Sequence, residues 1–86
     1  MAVRVRMFAA LREAAGVGEE FCDPGPLPDL LESLCRRHGE TFRARLGVSS
    51  VLIDGQHVAR DAQITVADGA EMALLPPVSG GSGRGA

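Results

Sequence analysis

The chain has 86 residues, room for one domain and no second core. Its formal charge of −2 excludes the basic excess of a dedicated nucleic-acid binder, and no apolar run is long enough to span a bilayer. Hydrophobic residues make up 45% but aromatic ones only 3%, so the core must be aliphatic, with few flat surfaces for stacking a base or cofactor.

Residues 3–8, VRVRMF, alternate apolar and basic as far as Met7, the period-two signature of a half-buried strand. Val3, Val5 and Met7 are expected to face the core, and Arg4 and Arg6 the solvent. Phe8 falls on the outer face and leads into AALREAAG, a short helical turn stopped by Gly16. Glu19 to Cys22 predicts a second short strand, which Pro24-Gly25-Pro26 terminates. The clearest helix follows. Pro28 suits its first turn by a fixed φ, and Asp29 by its charge against the helix dipole. Leu27, Leu30, Leu31, Leu34 and Cys35 recur at three- and four-residue spacing and make one apolar face. Arg36, Arg37 and His38 occupy the last turn, and Gly39 stops it. Residues 41–46, TFRARL, predict one more helical turn that packs Phe42 and Leu46.

The second half predicts strands. Asp54-Gly55 between apolar runs is the strongest short-range hairpin signal. Val51, Leu52 and Ile53 are consecutively apolar, which predicts a strand covered on both sides or lying near the sheet centre. Ile64 and Val66 lead to a turn at Asp68-Gly69, and residues 71–75 form a last strand that ends at Pro76-Pro77, where no N–H is left for a ladder. The order is strand, strand, helix, then two or three strands. It predicts an α+β roll, with one main helix and short helical turns on a mixed sheet of four to five strands. Residues 1–79 would form the domain. Residues 80–86, of Gly, Ser, Arg and Ala alone, would be a flexible tail.

No catalytic constellation emerges. His38 reads as a helix-end cation and His57 as a hairpin side chain, and neither has a serine or cysteine partner in a known motif. Asp54 and Asp68 are turn formers before they are acids. Cys22 and Cys35 lack metal-ligand spacing, so they are expected as small buried residues of a reducing compartment, and no metal or cofactor is expected on the chain. Arg36, Arg37, Arg43 and Arg45 form either a basic patch for an acidic partner or a solvated helix face. All nine cations are arginine, so no lysine side chain is present for Schiff-base or isopeptide chemistry. With no signal-peptide region after Met1, a soluble cytoplasmic protein without membrane or nucleic-acid partners is expected.

The stretch after the last strand, PPVSGG, admits two readings. Pro76 and Pro77 stiffen an extended exit, Val78 and Ser79 follow, and Gly80 and Gly81 carry no side chains. Six residues reach about 20 Å when extended, enough to thread a channel too narrow for any Cβ. Alternatively, the same stretch is the start of a linker-like terminus.

These segments resemble the ubiquitin-like β-grasp sulfur carriers (MoaD/ThiS-like), and within them the small subunits of molybdopterin synthase. MFAALREAAG is similar to that family's first strand and short helix, VLIDGQHV to its central hairpin, and ITVADGAEMALLPPVSGG to its last strand and tail. The doubled proline before Val-Ser-Gly-Gly is the most specific piece. The resemblance implies that the carboxylate of Gly81, presented with Gly80 on the tail, is adenylated by a ubiquitin-activating-type enzyme using ATP and Mg²⁺. It implies conversion of that adenylate to a thiocarboxylate by sulfur from a persulfide. It also implies a large-subunit partner that takes this sulfur to build the dithiolene of molybdopterin. Phe8, Leu75, Pro76, Pro77, Val78 and Ser79 would be the partner-binding residues, with Phe8 and Leu75 an exposed apolar patch beside the tail.

One departure bears on the chemistry. Members of the family normally end at the second glycine, whereas SGRGA follows here, so Gly81 carries a peptide bond to Ser82 and no free carboxylate. A protease cutting the Gly81–Ser82 bond would restore it. That arrangement resembles carriers matured by proteolysis for cysteine, thiamine or natural-product pathways. An interaction module whose tail is only a linker is the alternative outside the carriers.

Overall fold

The structure, a computed structural model, describes residues 2–76. The first strand, β1 (Val3–Met7), buries Val3, Val5 and Met7 and exposes Arg4 and Arg6, as its alternation requires. A seven-residue helix, α1 (Ala9–Ala15), ends at Gly16, whose φ of 81° lets its N–H turn back to the Arg12 carbonyl. Strand β2 (Glu19–Cys22) then returns antiparallel to β1.

The main helix, α2 (Leu27–His38), has Pro28 and Asp29 in its first turn. It buries the five residues of its apolar stripe, Leu27, Leu30, Leu31, Leu34 and Cys35. Residues 40–46 form a full short helix, α3 (Glu40–Leu46), rather than a single turn, and Phe42 and Leu46 are buried as expected. Phe42 is wholly buried and ranks first by volume among the fully buried side chains, so α3 supplies the one large aromatic plug of an otherwise aliphatic core.

Strands β4 (Ser50–Ile53) and β5 (Gln56–Val58) form the hairpin around Asp54-Gly55. Both turn residues have positive φ, 49° and 85°, the backbone of a type I′ turn. The Asp54 N–H donates to the Glu71 carbonyl at 2.8 Å, and the Asp54 Oδ1 accepts the Glu71 N–H at 3.0 Å, so the turn is also fastened to the next strand. Strand β7 (Glu71–Leu75) lies at the centre of a five-stranded sheet of order β2-β1-β7-β4-β5. It runs parallel to β1 and antiparallel to β4.

The centre of the sheet is β7, and β4 lies near that centre, as its apolar run predicts. Strand β4 is one place off it, with Val51 buried but Leu52 and Ile53 only half-buried. Pro24-Gly25-Pro26 does end β2, but Gly25–Pro26 is itself a short strand, β3, paired antiparallel with β6 (Thr65–Val66). The second half thus holds four strands, and the main helix is flanked by two helices of seven residues each. The mixed sheet with helices on one face is an α+β β-grasp roll of the ubiquitin-like kind.

Candidate functional site

The parallel pairing of β1 with β7 sets the geometry of the sheet end where the tail departs. Met7 lies opposite Leu74 and Ser50 opposite Leu75, so the first, fourth and last strands of the sheet meet where the chain leaves at Pro76. Met72 and Leu74 point inward and are wholly buried, whereas Leu75 points outward and is half-buried, and Pro76 is exposed.

Phe8 sits at the turn between β1 and α1. Its carbonyl accepts the N–H groups of Leu11 and Arg12, and the next residue, Ala9, takes a left-handed φ of 53°. The ring is half-buried, with the Arg6 guanidinium 5.6 Å from its centre, inside cation–π range. Phe8, Leu11, Arg45, Val48, Ser49 and Pro76 line a groove of about 160 Å³. The resemblance implies that Phe8 and Leu75 form an exposed apolar patch beside the tail. In the structure Phe8 shares its groove with Pro76, and Leu75 stands on the outer face of the sheet. Both are half-buried.

Val48, 60% exposed at the rim of that groove, was not expected. A β-branched residue just after Gly47, outside every apolar periodicity, is the signal that points to it. Pro77, Val78, Ser79, Gly80, Gly81 and Ser82 lie outside the described residues.

The remaining candidates are structural. Of the four arginines that read as either a basic patch or a solvated face, Arg36, Arg37 and Arg43 pair with carboxylates of the same chain. Arg43 makes a two-pronged pair with Glu32 at 2.9 and 3.0 Å, Arg36 also reaches Glu32, and Arg37 bonds Glu20. His38 Nε2 donates to the Glu20 carboxylate, and its ring packs 5.0 Å from that of Phe42. His57 is exposed on β5. Cys22 and Cys35 are buried free thiols whose pKa burial pushes up, which disfavours the nucleophilic thiolate. Among the described residues no three His, Cys, Asp or Glu side chains come together as a metal site, and no helix is long and apolar enough to cross a membrane.

A small β-grasp domain whose central strand runs straight into Pro-Pro-Val-Ser-Gly-Gly, with an apolar groove at the strand's end, has the architecture of a ubiquitin-like carrier. A model of the ThiS family matches residues 5–81, and the chain belongs to that family. The chain is 31% identical over 84 residues to the molybdopterin synthase sulfur carrier subunit of Chlamydomonas reinhardtii, covering 94% of this chain and all of that protein. A putative molybdopterin converting factor, subunit 1, from Pyrococcus furiosus superposes with a TM-score of 0.76 at 28% identity, over 91% of this chain and 99% of that one. A chain from the protein–protein complex of subunits 1 and 2 of molybdopterin-converting factor from Helicobacter pylori gives 0.63 at 26%, over 93% and 99%. The chain is thus a homologue of the sulfur-carrying small subunit of molybdopterin synthase.

Proposed function

We propose that this chain carries sulfur as a thiocarboxylate on Gly81 and serves as the small subunit of a molybdopterin synthase. The observation that carries the proposal is the placement of β7. The central strand ends at Pro76, beside the groove at Phe8, immediately before Pro-Val-Ser-Gly-Gly. A strand held on both sides by ladders is a rigid base for an extended arm. The two glycines that follow let the backbone enter a site that a side chain would block.

The chemistry requires activation, because a carboxylate is a poor electrophile. Once hydrolysis of the Gly81–Ser82 bond has freed the Gly81 carboxylate, an adenylating enzyme joins it to the α-phosphate of ATP, with Mg²⁺ on the phosphates, and releases pyrophosphate. A persulfide sulfur then attacks the acyl carbon and AMP leaves. Cleavage of the remaining sulfur–sulfur bond by a thiol leaves the thiocarboxylate, a soft nucleophile. A large subunit receives the arm and supplies the acid–base groups, and the related complex from Helicobacter pylori supports a partner of that kind. This chain binds no metal or cofactor of its own in the reaction.

Residues 82–86 support a second reading, in which a protease first cuts Gly81–Ser82 and the freed carrier serves another sulfur-requiring pathway. One experiment tests activation and processing together. The chain ending at Gly81 and the full-length chain are each incubated with a ubiquitin-activating-type enzyme, ATP, Mg²⁺, a persulfide sulfur donor and a thiol reductant. AMP release and a mass gain equal to sulfur replacing oxygen are expected for the truncated form only. Neither form producing AMP would overturn the carrier reading. Equal AMP from both would overturn the need for cleavage.

A further inference from the structure

A second surface lies at the edge of the sheet away from β7. Strand β2 is the outermost strand on its side. The Met7 N–H donates to the Gly18 carbonyl, and the register pairs Val5 with Glu20 and Val3 with Cys22. In an antiparallel ladder the two backbone groups of a residue point the same way, so those of Glu20 and Cys22 turn toward β1. The N–H and C=O of Glu19 and Phe21 turn outward, and no strand among the described residues pairs with them. The Phe21 side chain is 57% exposed on this edge.

Helix α2 runs beside the open edge. Asp29, Ser33 and Arg37, four residues apart on one helix face, form a groove of about 300 Å³ together with Leu30, Phe21 and Asp23. Its charges are uneven. Arg37 is held by Glu20, and Glu19 by Arg4. Asp23 and Asp29 have no ion-pair partner among the described residues, although Asp29 gains from the dipole of its own helix. The free edge therefore presents backbone donors and acceptors, an apolar ring and net negative charge.

That combination discriminates among occupants. A nucleic acid is repelled. A second copy pairing edge to edge would bring the unpaired Asp23 and Asp29 against an equally acidic edge, and like charges across a ladder destabilise it. We propose that the β2 edge and the β2–α2 groove accept an extended segment of a partner protein as a sixth strand of the sheet. Its basic residues lie beside Asp23 and Asp29, and a β-branched or aromatic residue packs on Phe21. The Asp23 end of β2 pairs with Val3, whereas the arm departs next to Met7, at the other end of β1. A segment in the groove thus leaves the arm free for its own partner.

The test uses the full-length ¹⁵N-labelled chain and capped pentapeptides of alternating valine and threonine. One peptide is flanked by arginine, a second by glutamate, and a third is the arginine peptide N-methylated along one edge. Expected are shifts of the Glu19, Phe21 and Ser33 amides, slower exchange of the Phe21 N–H, and about fivefold tighter binding of the arginine peptide at low salt. N-methylation abolishes these effects. The double variant Asp23→Asn, Asp29→Asn, at exposed positions that leave the core untouched, removes the preference for arginine. Equal affinity for the two charged peptides, shifts centred on β5, no shift at millimolar peptide, or Phe21 protection that follows protein concentration without peptide would each overturn the proposal. The measurement needs no activation of Gly81, so its outcome is separate from that of the carrier reading.

Discussion

At Glu20, burial and two hydrogen-bond donors oppose each other. Burial raises the carboxyl pKa, but hydrogen bonds from His38 and Arg37 outweigh it and hold the group below its ordinary value. A carboxylate with a depressed folded-state pKa adds stability that is fully present above its unfolded value. That stability fades as pH falls through the lower folded value. Glu20→Gln is therefore expected to destabilise the chain by about 1–3 kcal/mol at pH 7, from the loss of a charge-assisted pair in a half-buried setting. The deficit should shrink below about pH 4, where the parent loses the same charge. Urea unfolding of both proteins across pH 3–7 measures it, and a deficit independent of pH would refute the assignment. His38 was legible as a helix-end cation, but its partner was not. Glu20 lies 18 residues away on another element, and only the packing of β2 against the end of α2 brings the two together.

Elements with a period or a stop signal could be read directly. The alternation of β1, the leucine stripe of α2 and the Asp-Gly turn each follow from local geometry that the sequence states outright. Strands β3 and β6 were hidden for the opposite reason. Two residues carry no periodicity, and Pro24-Gly25-Pro26 reads as a breaker although its last two residues pair with Val66 and Thr65. The centrality of β7 was also hidden, because both β4 and β7 carry consecutive apolar residues, 51–53 and 72–75, and only the strand pairing shows which one lies in the middle. The β4–β5 turn gives a test at this scale. Gly55 has φ of 85° and open space where a Cβ would lie, so Gly55→Ala meets backbone strain without a clash. A loss of about 1 kcal/mol is expected, from the penalty for a non-glycine residue in the left-handed region. Phe42→Ala on α3 should cost about 3–5 kcal/mol by leaving a cavity under the helices. Thermal melts of the two variants would rank them in that order, and a reversal would mean that α3 is dispensable to the core.

For the molecule as a whole, the consequence of a β1–β7 parallel pair is that, under the proposed function, the two faces of the last strand take different tasks. Met72 and Leu74 hold the fold from inside, and Leu75 faces out beside the arm. The tail residues that would carry the chemistry were singled out by their composition and by the resemblance they bear, and residues 77–82 lie outside the described ones. The shape of the surface around their root was not, because it depends on which loops the sheet brings to Pro76. Leu75→Arg separates the two tasks. An outward arginine opposite Ser50 leaves Met72 and Leu74 in place and gives up only part of the half-buried leucine's apolar contact, so stability should fall by about 1 kcal/mol. Seating that arginine in an apolar interface would leave a charge without water or partner. Affinity for the large subunit should then fall by at least about 100-fold. Adenylation of the chain ending at Gly81, assayed in parallel, shows whether the activating enzyme uses the same face. Calorimetry with the large subunit decides the point. Unchanged affinity in the folded variant would remove Leu75 from the docking surface and leave Phe8, Val48 and Pro76 as its remaining residues at the root of the arm.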